Sequence, residues 1–337
     1  MSLRRPPRQI ADDTWLLRTT SNWGLTVNAY LVQSKGVIAL IDSGFPQQLD
    51  DTIWALAELN LRPQDIDKIV YTHTHVDHMG GGVAMADDYD IEHVFWEGSE
   101  PALLNYHDFY EALPRWKDWL SEELTPGPTR DTILSIFGGS SSRDRLGSGE
   151  LRNATLVPFG EAVTVGERTF ECVDGRGHDP FHAAWLERSR GWLYSGDVVL
   201  RNPTPILPVL RDDLTAYRRT LDRWRGDLLP SVNLLVPGHG RATENFADAL
   251  DTSRAHVRDL YVSVAERLRP GVVFDPTCLA GELLGPSPTS IRRAFIMFGA
   301  VTSQLVELEQ LGLAERATET TWRAAEVIPP YDQCSFR

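Results

Sequence analysis

Three imidazoles and a carboxylate fall within six consecutive positions in His73-Thr74-His75-Val76-Asp77-His78, directly after the apolar run Ile69-Val70-Tyr71. Imidazole nitrogens and carboxylate oxygens are the usual ligands of zinc and similar divalent ions, and a catalytic site leaves at least one coordination position open for water. A single histidine in a polar loop would carry no such meaning. Four ligand-type side chains at this spacing do. Three further candidates, His178, Asp197 and His239, each stand beside or close to glycine in a loop that follows a β-rich run. Each is weak alone, but the ends of several strands can converge on one sheet edge, where functional loops gather.

The elements that must position these residues follow from hydrophobic patterning. Residues 28–32 and 37–41 are β-rich runs joined by Ser34-Lys35-Gly36, a hairpin turn. The second run ends in Asp42-Ser43-Gly44, which delivers a carboxylate to the sheet rim. There it either orients a metal ligand or simply forms a turn. A helix is expected over 49–59, with Ile53, Leu56 and Leu59 on one face. After the strand at 69–71, His73 and His75 point the same way if the backbone stays extended. Asp77 and His78 are then expected at the turn into a helix that begins near Gly80, with Gly80-Gly81-Gly82 permitting close backbone approach. One loop can thus serve two adjacent ions.

Short strands are expected at 91–95, 155–158, 162–165, 168–173, 183–187, 192–194 and 234–236, and a helix over 213–224. Between them, 96–149 reads as a helical, aromatic-rich insertion carrying Trp96, Tyr106, Phe109, Tyr110, Trp116, Trp119 and Phe137, then a Gly/Ser-rich run at 138–142. It serves either as a lid over an apolar pocket or as packing against the scaffold or a second subunit. Residues 1–244 are expected to form the catalytic domain, and 245–337 a C-terminal one with helices over 246–268, 276–284 and 290–311. A two-stranded wing is expected over 312–316 and 322–324.

The 337 residues suffice for a large buried core, and 42% hydrophobic with 24% charged residues is the composition of an ordinary soluble globular protein. A formal charge of −14 argues against a dominant nucleic-acid or anionic-membrane footprint, though it is compatible with a local basic patch. Cys172, Cys278 and Cys334 are odd in number and widely spaced, so reduced thiols are expected. The basic N-terminus lacks the apolar segment of a secretion signal and no run is long enough to span a bilayer, so a cytoplasmic location is expected.

The ordered set His73, His75, Asp77, His78, His178, Asp197 and His239 resembles the metallo-β-lactamase superfamily, over roughly residues 28–240. The resemblance implies an α/β fold, an αββα sandwich, with a dinuclear site at one sheet edge. His73, His75 and His178 would hold one ion, Asp77, His78 and His239 the other, and Asp197 would bridge them. Where β-lactamases of this kind usually have cysteine, Asp197 points to the glyoxalase II-like hydrolases and lactonases, in the branch with a C-terminal winged-helix-like domain. Asp179-Pro180-Phe181-His182 departs from the family pattern, which puts familiar substrate contacts in doubt. His182 is expected to support the site rather than ligate. In the winged-helix-like part, Glu282, Glu307, Glu309, Glu315 and Glu319 among the arginines favour packing, dimerisation or pocket closure over DNA binding.

The implied chemistry is hydrolysis by a hydroxide bridging two divalent ions, zinc foremost and iron or manganese next, with Asp77 as proton acceptor. The insertion favours a thioester or lactone with a rather apolar acyl group, free or carrier-bound. Three rivals stay open: a phosphodiesterase or ribonuclease on the same metals, a mono-iron persulfide dioxygenase-like enzyme, and a non-enzymatic regulator.

Overall fold

Strand residues one apart face opposite sides of a sheet, and that alternation sorts this chain into layers. The computed structural model describes residues 4–21, 24–112, 125–128, 130–131, 146–201, 213–278, 291–334 and 336, with backbone alone for 110–112 and 291–297. Trp116, Trp119, the Gly/Ser-rich run and most of the helix expected at 276–284 lie outside the described residues. Among the described residues the first sheet takes seven strands in chain order: β1 (Arg8–Ala11), β2 (Thr14–Thr20), β3 (Thr26–Ser34), β4 (Val37–Ile41), β5 (Lys68–Val70), β6 (Glu92–Trp96) and β7 (Ala154–Val157). The second has five, β8 (Ala162–Val165), β9 (Arg168–Asp174), β10 (Ala183–Glu187), β11 (Trp192–Gly196) and β12 (Leu234–Pro237), in the order β12-β11-β10-β9-β8.

On β3, Tyr30 and Val32 face the second sheet while Ala29 and Leu31 face helices. On β10, Ala183 and Trp185 join the inter-sheet core, while Ala184 and Leu186 face outward into a helical layer. Both sheets are therefore buried on both faces. Helices α1 (Leu49–Glu58), α2 (Val76–Met85) and α3 (Tyr106–Ala112) lie on the side of the first sheet, and α4 (Leu214–Asp227) and α5 (Phe246–Arg267) cover the second. The architecture is the expected αββα sandwich.

Two elements differ from expectation. β1 and β2 form a hairpin within the N-terminal 20 residues, a region whose charge pattern masks its β character. Helix α2 begins at Val76, so Asp77 and His78 occupy its first turn rather than the turn before it. Glycines are poor helix formers, yet these are held in the helix by space. A Cβ at Gly81 would run into the Ser43 carbonyl, and one at Gly82 into the Tyr71 hydroxyl. The early start also places the Asp77 carboxylate at the positive end of the helix dipole.

After α5 come α6 (Ile291–Gln310) and an antiparallel pair, β13 (Ala314–Arg316) and β14 (Trp322–Ala324), with Ala314 opposite Ala324. Helix α5 belongs to two cores. Phe246, Ala249, Leu250 and Val257 pack on the second sheet's outer layer, whereas Leu260, Tyr261, Val264 and Leu268 pack with Leu305, Leu308 and Trp322. A buried network ties the same two regions. Arg218 of α4 donates through Nε and Nη2 to the two carboxylate oxygens of Glu307, at 3.1 and 3.0 Å, and to Gln304 Oε1 at 3.0 Å. Among the described residues no helix is long and apolar enough to cross a membrane.

Candidate metal centre

Parallel β4 and β5 end at the same sheet edge, and the loops after β9, β11 and β12 reach it from the second sheet. The edges are stitched by backbone bonds, Ala183 N–H to the Thr72 carbonyl at 2.7 Å and Asn28 N–H to the Gly238 carbonyl at 2.8 Å. Beyond Val70 the chain stays extended, with the Tyr71 amide still bonded to Val94 O, and His75 has φ −67° and ψ 146° before α2 begins. His73 and His75 consequently share a side, their ring centroids 4.6 Å apart.

All seven predicted residues meet. Their ligand-type atoms form three overlapping sets, each within 4.8 Å: His73, His75 and His178; His73, His78 and Asp197; Asp77, His78 and His239. His178 Nε2 lies 3.1 Å from His75 Nδ1, and His78 Nε2 lies 3.4 Å from His239 Nε2. Asp197 stands between the groups, with Oδ2 3.1 Å from His239 Nε2 and 3.7 Å from His178 Nε2, and Oδ1 3.5 Å from His78 Nε2. His73, His78 and His178 are buried to within 1%, while the side chains of His75, Asp77 and His239 keep 13–14% exposure, so the centre opens past those three.

His73, His78 and His239 are each aimed from behind through Nδ1. His78 Nδ1 is 2.8 Å from Asp42 Oδ2, and His239 Nδ1 is 2.6 Å from the Thr26 carbonyl; both contacts place the proton on Nδ1 and leave Nε2 free for a ligand role. His73 Nδ1 meets the Thr72 hydroxyl at 3.0 Å, and that hydroxyl also bonds Asp42 Oδ2 at 2.8 Å. Asp42 is thus an orienting carboxylate, resolving the alternative left open by its sequence position. Asp179 is wholly buried, accepts from Thr74 Oγ1 at 2.8 Å and faces His75 Nε2 at 3.8 Å. The departure from the family pattern at 179 therefore steadies the His75 loop. His182 is stacked on His73 and accepts the Asp197 amide N–H at 3.1 Å, a supporting part as expected. Gly238 leaves room for the centre, since a Cβ there would sit 2.5 Å from His78 Cε1 and 2.6 Å from Asp197 Oδ1. Sequence reasoning missed Thr72 and Thr26, the latter because it acts through its main chain.

Charge is concentrated here. Burial would raise the Asp77 pKa, but His78 and His239 hold it down to about 2. Burial opposes charge on His239 too, and is outweighed by Asp197 and Asp77, which raise it to about 10. His73 goes the other way, well below the usual histidine value through burial and then its imidazole neighbours. The donor set fits divalent metal: five imidazoles and two carboxylates converge, and His73 Nε2 and Asp197 Oδ1 are buried without any hydrogen-bond partner. Metal entering such a site displaces protons from it.

Asp42→Asn is expected to keep the fold while weakening metal affinity about 10–100-fold, because the amide orients His78 less firmly than the carboxylate. A competition titration against a chromogenic chelator measures the change.

Together, the double-sheet sandwich and the His/Asp cluster at its edge define a metal-dependent hydrolase. The chain belongs to the metallo-beta-lactamase superfamily, whose family profile matches residues 22–239. The probable metallo-hydrolase YqjP of Bacillus subtilis is 28% identical over 231 residues, 64% of this chain and 67% of that protein. The chicken acyl-coenzyme A thioesterase MBLAC2 is 27% identical over 190 residues, 55% of this chain and 62% of its own length. In solved structures, the metallo-beta-lactamase family protein TTHA1429 from Thermus thermophilus shares the fold, with a TM-score of 0.68 at 21% identity, covering 94% of this chain and 100% of the other.

Proposed function

We propose that this protein is a dinuclear hydrolase that cleaves a thioester, or a related acyl ester or lactone, of a relatively apolar acyl group. The observation that carries the reading is the overlap of the three ligand sets, which share His73 and His78 and have Asp197 between them. In this assignment His73, His75 and His178 hold one divalent ion, Asp77, His78 and His239 the other, and Asp197 serves both. Zinc suits the donors best. When bound, such ions supply a hydroxide nucleophile near neutral pH and polarise the substrate carbonyl.

The chain's own residues do the rest. Asp77, ionised at neutral pH and 3.4 Å from His239 Nε2, is the proton acceptor at the open side of the centre. Asp42, Thr72 and the Thr26 carbonyl hold the imidazoles in register. Support for an apolar acyl group comes from Phe181, in the loop of His178, which meets Phe109 of α3 edge-on at 5.5 Å. The Tyr106 hydroxyl of the same helix donates to Thr74 O, between His73 and His75, at 2.7 Å. The insertion thus abuts the centre, and the thioesterase activity named for MBLAC2 agrees with this chemistry. Residues 1–244 form the catalytic part in this reading, with 245–337 an appendage of the winged-helix-like branch.

Elemental analysis with a substrate panel tests the proposal. The expected result is about two zinc ions per chain and turnover of medium-chain thioesters or lactones, abolished by chelation and restored by metal. Turnover confined to a phosphodiester or RNA, or sulfide-dependent oxygen uptake with a single iron, would replace it.

A further inference from the structure

Arg5, Arg8 and Arg241 lie within electrostatic range of Arg18, which is tied to the loop of His239. Arg18 of β2 donates from Nη2 to the Gly240 carbonyl, next to His239, and from Nε to Asn28 Oδ1 at 3.0 Å. Arg8 of β1 lies opposite Leu16, so it shares a sheet face with Arg18 two residues along. Arg241 follows Gly240 directly, and Arg5 precedes β1. Arg5, Arg8 and Arg241 are exposed, and none of the four has an acidic partner among the described residues. The charged form of Arg18 is disfavoured first by burial and then, against an opposing contribution from Tyr30, by the positive charges of Arg5, Arg8 and Arg241.

Unneutralised like charges repel, and in a chain of net charge −14 acidic side chains are not scarce. Elsewhere many of the described arginines do have an acidic partner. Arg168 is matched with Glu187, Arg188 with Glu171, and Arg254 with Asp222. The uncompensated group stands beside His239, one of the three residues past which the centre opens. Guanidinium forks match phosphate oxygens two at a time, and several forks spaced outward from a reacting centre suit a handle bearing more than one anionic group. A long nucleic acid is a poor fit, since the patch is confined to one rim of an otherwise acidic protein.

We propose that Arg8, Arg18 and Arg241, with Arg5 outside them, form the subsite for the phosphate-bearing handle of a small-molecule thioester, the class to which coenzyme A thioesters belong. This rests on the thioester reading above and adds which part of the substrate the chain grips. The acyl group faces the aromatic side formed by Phe181 and Phe109, and the thiol's phosphates follow the arginines outward past His239. Arg18, tied to the His239 loop, couples grip to the placement of that residue.

The experiment compares hexanoyl-coenzyme A with the same acyl group on N-acetylcysteamine, which carries no phosphate, for the intact protein and for an Arg8→Ala/Arg241→Ala double variant. Both positions are exposed and outside the metal ligand set, so the fold and the chemistry are retained. The expected result is a KM for the coenzyme A ester raised about tenfold or more, with kcat within about twofold and no change on the neutral ester. Binding of desulfo-coenzyme A, read by calorimetry, is expected to weaken by a similar factor and to fall with added salt. Equal KM values for the two proteins on the coenzyme A ester overturn the subsite, as does equal or absent binding of desulfo-coenzyme A. Failure to hydrolyse either ester, with desulfo-coenzyme A binding still lost in the variant, instead rejects the thioester reading and leaves the anion subsite standing.

Discussion

Asp197→Ala is expected to lower kcat/KM by roughly a thousandfold or more, about 4 kcal/mol of transition-state stabilisation, while the far-ultraviolet circular dichroism stays unchanged. In the proposed dinuclear assignment the carboxylate would serve both halves of the centre, and it lies within 3.1–3.7 Å of His239, His78 and His178. Without it, three imidazoles lose their shared counter-charge and no remaining side chain stands between the two sets. Metal content, measured on the same preparation, is expected to drop from about two ions per chain to one or fewer. The backbone has little reason to follow, because the Asp197 N–H to His182 bond is made by the main chain and survives the change. A folded, metal-free Asp197→Ala protein with full turnover would sink the dinuclear assignment.

Arg218→Ala is expected to cost about 3–5 kcal/mol of stability, read as a shifted urea midpoint, because it strands the Glu307 carboxylate in the interior. Both side chains are nearly inaccessible, at 7% and 2% exposure. Thr215, Gln304 and Tyr331 complete the network, the last accepting from Arg218 Nη1 at 2.8 Å. Removing both charges at once, as Arg218→Met with Glu307→Leu, is expected to recover most of the loss. An Arg218→Ala protein as stable as the parent would mean that the two regions are held together by apolar packing alone.

The contrast between these two sites shows what sequence can and cannot reveal. The seven residues singled out come together because each could be placed by a local rule: four lie in one short stretch just after a strand, and three in glycine-containing loops that follow strands. The sandwich was legible for the same reason, since β3, β4, β10 and β12 are apolar on both faces and their lengths are fixed by turns such as Lys35-Gly36, where both residues have positive φ. The start of α2 was placed four residues late because the ligand-rich stretch reads as loop up to Gly80, whereas the close approach expected of the glycines is made, against Ser43 and Tyr71. Asp42 was half legible, as its position at the rim was visible but its partner was not. Arg218 and Glu307 are 89 residues apart, and nothing local to either announces the other. The arginine rim was hidden in the same way, gathered from two N-terminal strands and a loop more than 200 residues further on.

The bond that ties the second sheet to the start of the His73 loop, from the Ala183 amide to the Thr72 carbonyl, has a consequence for how the protein is made. During synthesis the His73 to His78 loop emerges with four ligand-type side chains and no partners, and its complement, His178, Asp197 and His239, follows 100 to 161 residues later. An ion captured early would sit on a flexible half-site. Only when β10 docks beside Thr72 are the two halves brought to one edge, a contact of high sequence separation that carries a large loop-closure cost. Ions that bound the native arrangement far better than the nascent loop would draw the folding equilibrium forward by mass action, which would make metal loading a reporter of completed assembly.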